Sequence, residues 1–167
     1  MSGEDANRAA ESRAVLGWRE WVSLPDLGIP AVKAKVDTGA RTSALHTFDL
    51  EAYHAGDQLR VRFAIHPLQR RTDVVLRCDS DVVDHRRVRD SGGRSEMRYV
   101  IATTLVVGTT RRRVELTLTS REDMLFRMLV GRTALDGFLI SPHESYRLGR
   151  KLGRAYRHWR QQEGRIP

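Results

Sequence analysis

Short runs of alternating apolar and polar side chains cover much of the chain. In Val32–Val36 every second residue is apolar and the two others are lysines, and the same period of two recurs in Leu59–Ile65 and Val114–Thr119. This period places the apolar side chains on one face of a β-strand, so these three runs are predicted to be strands. Further strands are predicted at residues 15–22, 42–46, 74–78, 100–107 and 128–130, with extended chain again at 138–140 and 145–148.

Turn-forming residues separate the predicted strands. Leu24–Pro30 contains two prolines and a glycine, and Gly108–Arg111 divides two strongly β-prone runs. A short helix is predicted to begin at Thr133–Leu135. Many short strands with one short helix are typical of an all-β fold whose sheet closes on itself, so we expect a small closed barrel.

The length of the chain suits one folded domain, because 167 residues fall within the usual range of about 100 to 200 per domain. Residues 1–13 are small and polar and show neither period, which predicts a disordered lead. We therefore expect the barrel over residues 14–149. A distinct tail, residues 150–167, follows it.

The tail combines apolar and basic residues. Leu148, Leu152, Tyr156 and Trp159 recur at helical spacing, and arginines and a lysine occupy most of the other positions. This pattern predicts a basic amphipathic helix, either packed on the barrel or serving as an arm for RNA, a ribosomal protein or another acidic protein. Across the chain, 29 Lys and Arg against 21 Asp and Glu give a net charge of +8, which favours an anionic partner.

No N-terminal apolar segment resembles a signal peptide or a membrane span. The single cysteine, Cys78, cannot form an internal disulfide. These features favour a cytoplasmic protein without a membrane partner. Because Cys78 falls on the apolar face of its predicted strand, we expect it to be buried.

The most informative short motif is Asp37-Thr38-Gly39-Ala40, directly after the strand that ends at Val36. The Thr38 hydroxyl can form hydrogen bonds, and Gly39 has no side chain to keep another backbone away. The turn is therefore suited to hold a carboxylate against a second group.

Two motifs together resemble those of the retropepsin-like aspartic proteases, in which an apolar-apolar-glycine strand packs beside an Asp-Thr-Gly loop. They are Lys35–His46, reading KVDTGARTSALH, and Leu129–Leu135, reading LVGRTAL. Within that class they are similar to the group often labelled "ATP-dependent zinc proteases", which is often associated with the RimK type of glutamate ligase. The resemblance runs from about Leu16 to Gly149.

The resemblance implies an aspartic endopeptidase, in which two carboxylates share one proton and activate a water. Since the chain has one Asp-Thr-Gly, it implies a homodimer with one Asp37 from each chain. In that arrangement Thr38 holds the paired loops so that the carboxylates are coplanar, Gly39 lets the substrate backbone approach, and Ala40 borders the pocket.

Retropepsins also cover their bound peptide with a glycine-tipped flap that lies between the two motifs. Ser91-Gly92-Gly93 falls in that interval, within the charged segment Val82–Tyr99, and is typical of a hairpin tip. It is either a substrate-binding flap or a plain surface hairpin.

Arg41 stands where retropepsins have an acidic residue, and that residue pairs with the arginine of their Gly-Arg motif, here Arg132. Two arginines cannot form this ion pair, so Arg132 needs another partner. If both guanidinium groups lie near the substrate, they favour acidic peptides through charge-assisted bonds. With the ligase association, this predicts a glutamate-rich protein tail as the substrate, for example on a ribosomal protein.

The residues do not support the zinc and ATP of the group's label. The six histidines are scattered without ligand spacing, and no His-Glu-x-x-His motif occurs. Val107–Thr110 lacks the Gly-Lys-Ser/Thr ending of a phosphate-binding loop, and there is no Gly-x-Ser-x-Gly elbow. We therefore expect neither a metal nor a cofactor.

Two other functions fit the residues. One is a non-catalytic basic β-barrel module that binds a ribosomal protein or RNA. The other is a monomeric peptidase-like fold with Asp37 as a structural turn residue. The nearest acidic cluster that could offer a second carboxylate, Asp79, Asp81 and Asp84, has the character of a solvated loop or an edge-strand guard.

Overall fold

The computed structural model describes residues 13–90, 92–120 and 125–157. Within these ranges the chain forms twelve strands and one short α-helix. The elements are β1 (Val15–Leu16), β2 (Arg19–Leu24), β3 (Ile29–Val36), β4 (Ser43–His46), β5 (Phe48–Ala55), β6 (Gln58–Ile65), β7 (Leu76–Asp81), β8 (Asp84–Arg89), β9 (Ser95–Val107), β10 (Thr110–Thr119), β11 (Met128–Val130), α1 (Arg132–Leu135) and β12 (Leu139–Ile140).

Six of these strands close into a barrel. Neighbours follow the order β10-β4-β11-β3-β2-β9, and β9 also pairs with β10, which closes the ring. The 13 residues of β9 allow it to reach several neighbours. Val100–Val107 pairs with Thr110–Thr117 of β10, Val106 faces Ser23 of β2, and the first half pairs with β8. The predicted small, closed, all-β barrel with one short helix is confirmed.

Alternation along the strands fills the interior of the barrel. Leu24, Ile29, Leu45, Ile101 and Leu116 have no exposed surface. Full burial of such a side chain contributes about 1.5–3 kcal/mol. This packing holds β3 and β11 side by side, and the candidate site lies where these two strands end.

Three predicted strands differ from those in the structure. The strand predicted at 15–22 is interrupted after β1, where a Cβ on Gly17 would lie 2.3 Å from the Glu144 carbonyl oxygen. The strand predicted at 74–78 begins later and extends to Asp81, because β7 pairs with β6 over its full length. Residues 145–148 form irregular chain and a turn, so the extended structure predicted there is wrong.

A separate three-stranded sheet, in the order β5-β6-β7, covers part of the barrel. Strand β5 was not predicted: its apolar alternation is confined to Phe48–Ala52, and none of its side chains is buried. Cys78 of β7 is free and buried, as expected, and burial raises the pKa of its thiol to about 12.

The described part of the tail is anchored by Tyr156. Lys151–Arg154 forms a 3-10 helix, and Gly153 packs so closely on Trp21 that a Cβ would lie 2.9 Å from its ring. The buried Tyr156 hydroxyl accepts a hydrogen bond from the Ala31 N–H at 3.3 Å and donates one to the Ala31 carbonyl. The rest of the predicted tail helix, 158–167, and the predicted lead up to residue 12 lie outside the described residues.

None of the helices in the described ranges is long and apolar enough to cross a membrane.

Candidate active site

Asp37 directly follows β3, and the pairing of β3 with β11 determines where it lies. The two strands are parallel, with Val36 opposite Val130, and the Asp37 N–H donates to the Val130 carbonyl at 2.9 Å. The Gly39 N–H donates to Oδ1 of Asp37 at 3.0 Å, which closes an Asx turn. The half-buried carboxylate is therefore oriented by the turn and still reachable from outside.

The chain after β11 closes against this turn. The Gly131 N–H donates to Oγ of Ser43 at 3.0 Å, and the Arg132 N–H donates to the Ala40 carbonyl at 2.8 Å. A Cβ on Gly131 would lie 2.7 Å from the carbonyl carbon of Thr42, so a larger residue would push the two loops apart. This close approach explains why the strand needs a glycine at its end.

Arg132 finds its partner in the backbone of the Asp37 turn. Its Nη1 donates to the carbonyl oxygens of Thr38 at 3.1 Å and Gly39 at 3.2 Å. These carbonyls take the place of the acidic residue that Arg41 replaces. Arg132 thus braces the turn from outside, and its side chain is not part of the cleft wall.

A cleft of about 570 Å³ opens over the Asp37 turn. Asp37, Gly39, Ala40 and Arg41 line one side of it, and the opposite side comes from β8, the first half of β9 and the end of β10. Thr38 is exposed beside the cleft, and its hydroxyl makes no hydrogen bond with the described residues. The roles expected for these residues toward a substrate or a second chain stay predictions.

The segment predicted as a flap or a plain surface hairpin is the hairpin of β8 and β9, and residues of both strands line the cleft. At its tip, the Arg94 N–H donates to Oδ1 of Asp90 at 2.9 Å, and Gly93 has a φ of +81°, which favours glycine. Asp90 lines the cleft, whereas Gly92 and Gly93 do not. Ser91 lies outside the described residues.

Four arginines and two aspartates line the cleft. They are Arg41, Arg86, Arg89 and Arg98, with Asp37 and Asp90. Sequence patterns singled out Arg41 alone among these arginines. The three others were missed because strand register within the hairpin decides which members of a long basic run face inward.

The cleft arginines differ in how far other residues neutralise them. Arg86 forms ion pairs with Asp84 at 2.7 Å and Glu115 at 3.0 Å, and its hydrogen bond holds the pKa of Asp84 below the ordinary value. Arg41 and Arg89 form no ion pair with the described residues. Arg41 and Arg89 are therefore the cleft arginines left without a carboxylate partner among the described residues.

Asp90 is the one described carboxylate that shares the cleft with Asp37. Asp79 and Asp81 lie on the edge strand β7, where Arg60 pairs with both. They are thus part of a strand and not of a solvated loop. Asp84 begins β8, and none of the three aspartates lines the cleft.

Among residues 13–90, 92–120 and 125–157, no group of three or more side chains of the metal-ligating types lies together. The expectation of no metal and no cofactor stays a prediction.

A closed barrel with an Asp-Thr-Gly turn clamped beside an apolar-apolar-glycine strand defines a retropepsin-like protein. The sequence profile of the retropepsin-like aspartic endopeptidase RimB matches residues 15–147, which include the barrel and both motifs. The chain belongs to this family.

Two curated relatives carry the name probable alpha-L-glutamate ligase. The one from Shewanella pealeana is 43% identical over 143 residues, which cover 85% of this chain and 31% of the relative. The one from Parasynechococcus marenigrum is 45% identical over 138 residues, which cover 82% of this chain and 30% of the relative. The chain thus spans less than a third of the length of these relatives.

A solved structure from Legionella pneumophila, of a protein of unknown function, resembles this one with a TM-score of 0.65. The two sequences are 22% identical, and the match covers 82% of this chain and 99% of the other. This likeness supports the fold alone.

Proposed function

We propose that the protein is an aspartic endopeptidase that acts as a homodimer, activates a water between two Asp37 carboxylates, and cuts acidic, glutamate-rich protein tails. The observation that carries the proposal is the Asp37 turn, in which one oriented carboxylate meets a cleft rich in arginine. The family to which the chain belongs supports the peptidase class.

The chemistry requires two carboxylates that share one proton. Like charges about 3 Å apart cannot both ionise easily, so one carboxylate is ionised and the other protonated. The ionised one takes a proton from the water as the water oxygen attacks the peptide carbonyl carbon, and the protonated one donates to the carbonyl oxygen. When the tetrahedral intermediate collapses, the C–N bond breaks and the leaving nitrogen takes a proton from the pair.

Three features support a second Asp37 as the other carboxylate. Thr38 and Gly39 are exposed, which leaves the turn open to another chain. The other cleft carboxylate, Asp90, belongs to the flap tip, where its Oδ1 accepts from the Arg94 N–H. The chain also has one Asp-Thr-Gly, so a symmetric dimer is the simplest source of a pair.

The acidic substrate is supported by charge. The unpaired guanidinium groups of Arg41 and Arg89 face the cleft, where carboxylates can form charge-assisted hydrogen bonds with them. The relatives named as glutamate ligases are consistent with a glutamate-containing substrate.

The decisive experiment measures hydrolysis of a peptide ending in several glutamates and of its glutamine counterpart, with a metal chelator present throughout. The proteins are wild type, Asp37→Asn and the matched control Asp57→Asn, because Asp57 is exposed in the β5–β6 turn, away from the cleft. We expect wild type and the control to cut the glutamate peptide and Asp37→Asn to lose at least about a thousandfold in rate, since the shared proton is gone.

Activity that survives in Asp37→Asn would move the chemistry to other residues. Equal cleavage of both peptides at low salt would contradict the acidic substrate while leaving the peptidase in place.

A binding module remains the second candidate, and one observation favours it. Arg150, Lys151, Arg154 and Arg157 are all exposed at the start of the tail and form a basic surface outside the cleft. Binding of RNA or of an acidic ribosomal protein by folded wild type that cleaves neither peptide would favour this function.

A further inference from the structure

Arg98 differs from the other arginines of the cleft in its burial. It lies near the start of β9 at the base of the flap hairpin, lines the cleft, and is 7% exposed. Arg41 and Arg89 are exposed, and Arg86 is half-buried. Burying a guanidinium group costs free energy unless its N–H donors are paired. The hydrogen-bond partners of Arg98 therefore show which of its donors are left for a ligand.

Two side-chain contacts hold the Arg98 guanidinium group. Its Nε donates to Oε1 of Glu96 at 2.6 Å, and its Nη1 donates to Oγ1 of Thr117 at 3.4 Å. The Thr119 hydroxyl donates to the same Glu96 oxygen at 2.8 Å. Since the guanidinium group is planar, these bonds also set the direction of Nη2, which makes no hydrogen bond with the described residues.

The same contacts connect Arg98 to the floor of the cleft. The Thr117 hydroxyl that accepts from Arg98 donates to the Ser43 carbonyl at 3.3 Å. The Ser43 hydroxyl accepts from the Gly131 N–H at 3.0 Å, beside the Asp37 turn. Arg98 is therefore linked, through Thr117 and two different groups of Ser43, to the glycine that packs beside the Asp37 turn.

No other described arginine near the site is at once buried, held in a fixed orientation and left with a free N–H donor. Arg132 is bonded to the turn carbonyls, and Arg86 is neutralised by two carboxylates. Arg41 and Arg89 have no ion pair with the described residues and are exposed, so ordering them on a substrate costs side-chain entropy. A preorganised donor recognises a ligand with less of this cost.

We propose that Arg98 is a specificity-determining residue whose Nη2, together with the remaining N–H of Nη1, receives the side-chain carboxylate of a substrate residue bound between the flap hairpin and the Asp37 turn. This inference rests on the proposed peptidase function and names the group that recognises the acidic side chain. Glu96 keeps the guanidinium group in place through its contact with Nε.

The test uses a glutamine-rich peptide in which a single glutamate is moved along the chain, so that one position at a time becomes acidic. Wild type, Arg98→Lys and Arg98→Gln are compared with the control Arg87→Gln, because Arg87 is exposed on β8 and does not line the cleft. The first readout is kcat/KM for each peptide relative to the all-glutamine peptide. The second is the affinity of the same peptides for Asp37→Asn versions of all four proteins, measured by calorimetry.

We expect wild type and Arg87→Gln to prefer glutamate at one position. In both Arg98 variants that preference should fall by about tenfold to a hundredfold, as expected for loss of a charge-assisted contact, and the loss should appear mainly in KM. Lysine keeps the charge but cannot make the forked contact, so Arg98→Lys also tests the geometry if Arg98→Gln does not fold.

Other outcomes distinguish the role of Arg98 in recognition from the proposed peptidase activity. An unchanged glutamate preference in Arg98→Lys, with only a lower melting temperature, would make Arg98 a structural brace and overturn the inference. Absence of hydrolysis combined with Arg98-dependent binding of the glutamate peptide would refute the peptidase and retain the recognition site. Absence of any glutamate preference in wild-type binding would refute the recognition site itself.

Discussion

Glu20 shows how one buried charged residue organises the chain around it. It lies on β2, is 1% exposed, and accepts hydrogen bonds from three backbone N–H groups. These donors are Gly17 at 2.6 Å, Arg147 at 3.0 Å and Leu148 at 3.1 Å. The carboxylate thereby ties the break between β1 and β2 to the turn that precedes the tail.

Glu20→Gln is expected to lower the free energy of unfolding by about 1–3 kcal/mol, because the amide has one oxygen and places an N–H donor against backbone donors. Urea denaturation of the variant and of wild type measures the difference. The matched control is Glu51→Gln, on the exposed strand β5, which should change stability by less than about 0.5 kcal/mol. Equal losses in the two variants would contradict this role for Glu20.

Residues within short motifs were easier to predict than residues that meet through the fold. Asp37, Gly39 and Ala40 were found together because they are adjacent in sequence and follow an alternating strand. Arg98 was not singled out, since its burial depends on Thr117, which lies on the neighbouring strand β10. Glu20 was missed because its partners near residue 147 are distant in sequence.

At the scale of elements, Tyr156 joins the tail to an irregularity in the barrel. The pairing of β2 with β3 shifts register between Val22 and Leu24, so that Ala31 has no regular pairing partner on β2. The Tyr156 hydroxyl bonds to both backbone groups of Ala31. Burial raises the pKa of Tyr156 to about 12, so the neutral phenol is favoured in the folded protein.

The raised pKa of Tyr156 predicts that the folded protein loses stability at alkaline pH. Because the folded-state pKa lies above the ordinary value of 10.0, the contribution of Tyr156 is fully present below pH 10 and is lost as the pH rises toward about 12. Tyr156→Phe should be less stable by about 1–2 kcal/mol at pH 8, since the Ala31 backbone loses its partner. It should also lose less stability than wild type between pH 10 and 12.

Chemical denaturation across this pH range checks the prediction. The buried Cys78, whose pKa is also raised to about 12, contributes a decline of its own in both proteins, so the difference between them reports the ionisation of Tyr156 together with its repulsion by the Cys78 thiolate. Parallel stability curves would show that ionisation of Tyr156 is not linked to unfolding.

Strands with a strong alternation of apolar and polar residues were predicted well. Strands whose limits depend on contacts with other parts of the fold were not. The hairpin of β9 and β10 and the strand β11 follow from their apolar pattern. Strand β5 has no buried side chain and forms because β6 offers a free edge. The division between β1 and β2 comes from contact with the Glu144 carbonyl, which no local pattern contains.

For the whole molecule, a shared active site makes a specific prediction about mixed subunits. If each dimer needs two Asp37 carboxylates, Asp37→Asn chains should inhibit wild type by forming inactive mixed dimers. With a tenfold excess of Asp37→Asn and free exchange, only about a tenth of wild-type chains keep a wild-type partner, and activity should fall about tenfold.

Activity of the mixture after subunit exchange tests this prediction, alongside the mass in solution. A dimer has twice the 19.1 kDa of the chain. Unchanged activity in the mixture, or an active species of 19.1 kDa, would contradict the shared site and favour a second carboxylate within one chain.

The sequence by itself determined the class of fold and the place of the Asp-Thr-Gly turn, because alternation and turn chemistry act between neighbours in the chain. Tertiary structure decided which charges meet around that turn. Arg132 is bonded to backbone carbonyls, and Arg98 is buried against Glu96 and Thr117, through contacts made only after the barrel closes. Strand register across the barrel sets these contacts, and register depends on the packing of all the strands together.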